Sequence, residues 1–212
     1  MLIKSPLYTF WKRSVSTGLK RRRFRRMLQT VNLPADRPLR VLEVGCADGR
    51  DTIQFLRELP DCEIHGVDVK PQTLPEDVTF HLADAADLPF EDGEFDLVVS
   101  IGLLEHIEPM EKLSAVIREM RRVGRACVAV IPSVSTLLEP HALRLRWPLR
   151  LHKKLIHKHS ADQLLHLNYF TDHTWTKFEG FADAELQRFF YLFPFVRNLL
   201  ISAGDLRESA EK

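Results

Sequence analysis

Acidic side chains are missing from the first 35 residues of this 212-residue chain, which carry Lys4, Lys12, Arg13, Lys20, Arg21, Arg22, Arg23, Arg25 and Arg26. Acids are likewise missing from residues 140–160, apart from their basic residues Arg144, Arg146, Arg150, Lys153, Lys154 and Lys158 otherwise uncharged at neutral pH. Half of the 30 basic side chains therefore sit in two blocks, although the whole chain has a net charge of only +1. That asymmetry points to an anionic partner at one face: phosphate groups, acidic lipid headgroups or nucleic acid. Cysteine is scarce. Cys46, Cys62 and Cys127 are odd in number, scattered and without a CxxC pair, which argues against a disulfide framework or a zinc site and fits a reducing compartment. No apolar run approaches the ~20 residues of a membrane span. The N-terminus lacks the apolar core of a secretory signal, so a cytoplasmic protein, peripheral at a membrane, is the expectation. An acid-free start rich in Arg and Ser/Thr also fits a mitochondrial transit segment as a minor alternative.

What is present is a βα alternation. Val41-Leu-Glu-Val-Gly-Cys-Ala-Asp-Gly-Arg50 reads as a strand running into a turn of small residues and then a helix over about 50–59. Strands follow at 62–68, 78–83, 94–101 and 125–131, with a helix over 109–122 opened by Pro109. Near-continuous Val/Ile/Leu strands between amphipathic helices imply a parallel sheet covered on both faces. Residues 5–30 read as a basic helix interrupted or hinged near Gly18, with Leu19, Phe24, Met27, Leu28 and Val31 on one face. The expected organisation is a basic segment over 1–35 and a domain over 36–212 that contains an insertion at 133–170. The apolar tail, Phe189 to Ile201, reads as antiparallel edge strands.

Ligands of such sheets bind outside the carboxyl ends of the strands. Those ends carry Gly45–Gly49, Asp68, Asp84–Ala85 and Ser100–His106. Asp68 ends the second strand, where a carboxylate can accept hydrogen bonds from both ribose hydroxyls of an adenosine. A dinucleotide fingerprint would need glycine at 47 and 50, where Ala47 and Arg50 stand, and no Gly-Lys-Ser/Thr follows as a P-loop requires. Neither NAD nor ATP fits.

Glu43-Val-Gly45-Cys-Ala47-Asp-Gly49 resembles the first motif, E-x-G-x-G-x-G, of class I S-adenosylmethionine-dependent methyltransferases. Gly66-Val-Asp68-Val69 is similar to their acidic second motif. Ala83-Asp84-Ala85-Ala-Asp-Leu-Pro-Phe90 and Phe95 to Ile107 resemble the third and fourth motifs of the methyltransferase type 11 group. The resemblance spans about residues 38–132, with Tyr169-Phe-Thr171 echoing a later helix start. It departs from the pattern at Ala47, where the family has glycine, and at Arg122–Arg125, which lacks a K-P-G-G turn.

The resemblance implies a doubly wound, mostly parallel, seven-stranded Rossmann-like α/β sheet and S-adenosylmethionine as cofactor. It assigns Glu43, Gly45, Cys46, Ala47, Gly49, Asp68, Val69, Asp84, Ala85, Ser100 and Ile101 to the cofactor. Gly45–Gly49 would flank its methionine part, Asp68 the ribose, Asp84 and Ala85 the adenine, and Ser100 and Ile101 the sulfonium end. His106 is the candidate general base for an O-methylation, with Glu105 beside it. A metal is not expected, because Gly102 stands where related metal-binding clusters carry glutamate. The acceptor, chosen by the insertion, would be a small molecule, lipid or glycan, anionic or amphipathic, with contact to an anionic membrane. A non-catalytic cofactor-binding subunit or regulator is the alternative. RNA modification ranks below both, since nucleic-acid motifs are absent.

Overall fold

The computed structural model describes residues 6–50, 52–59, 61–133, 138–139, 144–145, 168, 170–192 and 196–206. Nearly all of the expected insertion at 133–170, with its basic run and histidines, lies outside these residues.

Strands β1 (Leu39–Val44), β2 (Cys62–Asp68), β3 (Val78–Leu82), β4 (Phe95–Ile101) and β5 (Gly124–Pro132) are parallel where they pair. A short ladder joins β6 (Leu138–Glu139) to β7 (Arg144–Leu145). The apolar tail forms β8 (Glu185–Leu192) and β9 (Val196–Gly204), antiparallel as expected. The main sheet has seven strands in the order β3-β2-β1-β4-β5-β9-β8. Its order reverses between β1 and β4, so the crevice where ligands sit in such sheets opens at the carboxyl ends of those two strands.

Alternate residues along the strands feed two cores. Leu42, Val44, Val98, Cys127 and Ile201 face α3 (Met110–Val123), together with Trp175 and Phe181. Val41, Leu97, Val99, Val128 and Leu200 face the other way, toward α1 (Pro6–Leu28) and α2 (Ile53–Leu56). A last short helix, α4 (Asp172–Trp175), places Trp175 under the sheet.

Two helices differ from the sequence reading. The helix expected over 50–59 is regular only from Ile53 to Leu56. Its last turns tighten, with Glu58 N–H donating to Phe55 C=O and Leu59 N–H to Leu56 C=O. Pro60 follows, and a residue before proline is driven out of helical geometry. The hinge expected at Gly18 is absent: α1 runs unbroken through it. A Cβ there would meet nothing within 4 Å, so Gly18 carries the entropic cost of glycine without a packing reason for it.

The basic segment is also built into the domain from Lys20 to Asn32. Phe24, Met27 and Val31 are buried in the same core as β1, and the Phe24 ring stacks on Phe55 at 5.7 Å. Asn32 N–H donates to the Asp205 carbonyl at 2.9 Å. The far end of the described contact lies at the cofactor loop, where Lys20 Nζ donates to the Arg50 carbonyl at 3.1 Å. Helix α1 thus climbs from the amino-end edge of the parallel strands to their carboxyl-end rim.

Candidate functional site

The loop after β1 is held by backbone bonds before any side chain acts. Gly45 and Cys46 N–H both donate to the Val67 carbonyl at 2.9 and 3.1 Å, and Gly49 N–H donates to Cys46 C=O at 2.9 Å. Gly45 has φ +75°, and a Cβ there would lie 3.0–3.2 Å from the Leu103 side chain. Only glycine suits that backbone and that approach. Ala47 has φ 44°, so the alanine that replaces a motif glycine sits in the left-handed region at a cost of about 1–2 kcal/mol.

Asp68 faces this loop from the end of β2. Its Oδ2 accepts the Ala47 N–H at 3.1 Å and its Oδ1 accepts the Lys70 N–H at 3.0 Å. The carboxylate is thereby aimed, with lone pairs left for a ligand's hydroxyls. Beyond β3, Asp84 Oδ1 accepts Ala86 N–H at 3.0 Å and Oδ2 accepts Lys112 Nζ at 2.7 Å. The Lys112 ammonium, followed by that amide, holds the Asp84 carboxyl below the usual carboxylate range.

Gly45, Asp68, Val69, Asp84 and Ala85 line one open cleft of about 120 Å³, bordered by Leu103, Ile107 and Lys112. Val69 is 59% exposed, a large apolar side chain offered to the cleft's opening. The Ala85 N–H has no partner among the described residues. A cleft with an apolar wall, two carboxylates and an open amide donor suits a flat, polar-edged ring joined to a diol.

Other predicted residues sit beneath the cleft. Glu43 is buried, and its Oε2 accepts the Ile53 N–H at 3.2 Å, bracing the start of α2. Cys46 is buried against Gly66, where a Cβ would lie 2.9 Å from its Sγ. Burial, with the Glu43 and Asp68 carboxylates, pushes its thiol up to about 12, so Cys46 packs and does not attack. Ser100 is buried, and its Oγ has no partner among the described residues. Ala47 is exposed, Gly49 buried and Ile101 half-buried at the loop and the strand end.

His106 is exposed on a 3-10 helix over Leu104–His106 whose other residues are buried; the flanking Leu103 and Ile107 line the cleft, and His106 itself is not among the lining residues. This turn is fastened by a residue that sequence reasoning missed. Asn168 Nδ2 donates to the Leu104 and Ile107 carbonyls at 3.0 and 2.6 Å, and its N–H donates to the Glu105 carbonyl at 2.7 Å. Lys112 was missed as well. Both come from distant segments and carry no local signature. Among the described residues no group of His, Cys, Asp and Glu could hold a metal ion.

Residues 41–126 match the family model described as a methyltransferase domain. The matched segment begins in β1, ends in β5 and contains the whole cleft. Over residues 41–126 the chain is therefore similar to the methyltransferase domain of class I S-adenosylmethionine-dependent methyltransferases. Ajmaline N-methyltransferase of Rauvolfia serpentina is 34% identical over 110 residues, 46% of this chain and 36% of that protein. The chloroplastic tocopherol O-methyltransferase of Arabidopsis thaliana is 33% identical over 97 residues, 40% of this chain and 27% of that one. The chain thus spans well under half the length of these curated relatives. Magnesium protoporphyrin IX methyltransferase from Synechocystis, solved with bound SAH, has a TM-score of 0.59 at 16% identity. The superposition covers 97% of this chain and 89% of that one, a likeness of fold. In this methyltransferase domain the seven-stranded sheet extends past the matched segment, since β8 and β9 lie beyond it.

Proposed function

We propose that the cleft holds S-adenosylmethionine and that the protein moves its methyl group to a hydroxyl of a small molecule, lipid or glycan. The observation that carries this reading is the convergence of Gly45, Asp68, Asp84 and Ala85 in one cleft at the switch point of the sheet. The residues present fit the cofactor. The Gly45 surface, which a Cβ would close against Leu103, leaves room for its methionine part. Asp68, aimed by two amides, accepts the ribose hydroxyls. Val69 packs on the adenine face, Ala85 N–H donates to a ring nitrogen, and Asp84 accepts the exocyclic amine beside Lys112. No phosphate is present in such a ligand, so a loop without lysine suffices.

When bound, the cofactor supplies a sulfonium, which makes a methyl group transferable to a nucleophile without further activation of the leaving group. The protein aligns the acceptor in line with that methyl, a contribution of about 7–11 kcal/mol in favourable cases. It also excludes water through the half-buried Leu103 and Ile107. His106, exposed and next in sequence to Ile107 of the cleft wall, takes the hydroxyl proton as the bond to carbon forms. Asn168 fixes the turn that presents it.

Amine acceptors form a second reading, favoured by the match to ajmaline N-methyltransferase. A neutral amine needs no base, and one substitution separates the two. The test is transfer of labelled methyl from S-adenosylmethionine into lysate fractions split into lipid, glycan, RNA and small molecules. The reading expects label in one acid- or base-stable product, and a loss of about 10²–10⁴-fold in rate for His106→Gln on a hydroxyl acceptor. Unchanged rates in that variant favour the amine. Label confined to RNA, or no transfer at all, overturns the proposal.

A further inference from the structure

The outward face of α1 carries a stripe of arginines. Gly18, Arg21, Arg22, Arg25, Arg26 and Gln29 border a shallow, open hollow on that face. These positions recur at three- and four-residue steps, so they form one stripe opposite buried Phe24 and Met27. The flanking cations are held to the body of the domain. Arg21 pairs with Glu58, and the Arg26 guanidinium lies over the Phe189 ring, 5.4 Å from its centroid. The central pair differs. Arg22 and Arg25 are exposed and have no ion pair or side-chain hydrogen bond among the described residues. No acid lies within the first 35 residues to neutralise them.

Location adds a second line of argument. The stripe is carried by a helix whose Lys20 touches the carbonyl of Arg50, directly after the cofactor loop. Helix α1 continues from there as far as Pro6. That stretch of sequence, with what precedes it, contains Leu2, Ile3, Leu7, Phe10 and Trp11 beside Lys4, Lys12 and Arg13. In sequence, cations beside apolar and aromatic residues are a composition that suits contact with an anionic bilayer surface. Single-stranded nucleic acid is the poorer match to the described surface. Its binding uses exposed aromatic rings between cations, whereas Phe24 and Phe189 here are buried.

We propose that α1 docks the protein on an anionic lipid bilayer through Arg22 and Arg25, with the cofactor cleft's rim held next to the headgroups. The inference concerns where the protein sits and is independent of methyl transfer. Each cation close to an anionic leaflet contributes about 1 kcal/mol, so removing two lowers the partition coefficient by about thirtyfold. The interaction is also screened by salt, since its range is about 10 Å at 0.1 M.

The experiment is flotation of the full chain with vesicles of phosphatidylcholine alone or mixed with phosphatidylglycerol, at low and physiological ionic strength. Expected are binding to the mixed vesicles only, weakening with salt, and about thirtyfold weaker partition for Arg22→Gln/Arg25→Gln. Both side chains are exposed, and an unchanged melting temperature of the variant shows that the fold survives. The charge-reversed Arg22→Glu/Arg25→Glu is expected to bind less than the neutral variant. Equal binding to both vesicle types, no binding, or partition unchanged in the variants overturns the proposal. So does a single-stranded RNA that displaces the protein from the mixed vesicles.

Discussion

The two faces of the central sheet are covered by different means. On one face, α3 brings Leu113, Val116, Ile117, Met120 and Val123, all fully buried, and Trp175, Phe178 and Phe181 complete the layer. On the other, α2 offers only Ile53, Phe55 and Leu56, and α1 supplies what is missing through Phe24, Met27 and Val31. The face under α3 closes with residues from the body of the domain. The face under α1 depends on a strongly basic segment from the start of the chain. One helix therefore serves a core on its inner side and presents cations on its outer side. The difference teaches that a block of positive charge can help to build a core on one side while it faces solvent on the other.

The largest effect expected is on the α3 face. Trp175→Ala costs about 4 kcal/mol in urea denaturation, because it opens a cavity in a fully buried layer. Trp175→Phe costs less, since the indole Nε1 has no hydrogen-bond partner among the described residues. Phe24→Ala then measures the other face. It is expected to cost about 3 kcal/mol, as for a buried ring stacked on Phe55. A loss below about 0.5 kcal/mol, the size of an ordinary surface substitution, shows that α1 is an appendage and breaks the comparison.

A smaller effect comes from the edge of the α3 face, where polar rings take the place of a helix. His65 Nδ1 and His81 Nε2 lie 2.9 Å apart on β2 and β3, and His65 Nε2 is 2.8 Å from Glu63 Oε1. Phe90 and Phe95 meet these rings edge-on. Burial and then the His65 imidazole lower the His81 pKa below 6.5, against the opposing pull of Glu94. The unfolded chain binds this proton more readily, so stability is full above about pH 6.5 and falls as the pH drops through the folded value. Melting curves between about pH 7.5 and 5.5 are expected to show that decline, and His81→Gln to flatten it.

The smallest effects are backbone ones, of opposite sense. Gly18→Ala stabilises α1 by about 0.5–1 kcal/mol, since the site is open and helical. Ala47→Gly relieves about 1 kcal/mol at φ 44° in the cofactor loop.

Much of the fold was legible because its strands are continuous apolar runs that end in Gly45, Asp68 and Ser100, and a parallel sheet requires both features. The cleft was legible for the same reason: carboxyl ends of adjacent strands converge, so Asp68 and Asp84 come together however the helices pack. What escaped depends on tertiary contact. Lys112 reaches Asp84 across 28 positions, and Asn168 reaches Leu104 across 64. Nothing near Lys112 or Asn168 in sequence marks either partner. Glu43 reads as a motif residue, yet its strand position alone cannot tell that its carboxylate braces Ile53 N–H under the loop. The unbroken course of α1 through Gly18 reflects packing at Phe24 and Met27 that overrides local propensity.

Calorimetric titration with S-adenosylhomocysteine tests the cofactor cleft most directly, run on the wild type, Asp68→Ala and Asp84→Ala. Asp68, aimed by two amides and without a cationic partner among the described residues, is expected to lose about ten- to a hundredfold in affinity when truncated. Asp84, already engaged by Lys112, is expected to lose less. Saturable binding by the wild type with that order of losses is the expected result. Absence of binding, or affinity untouched by Asp68→Ala, would contradict the assignment of this cleft to the cofactor.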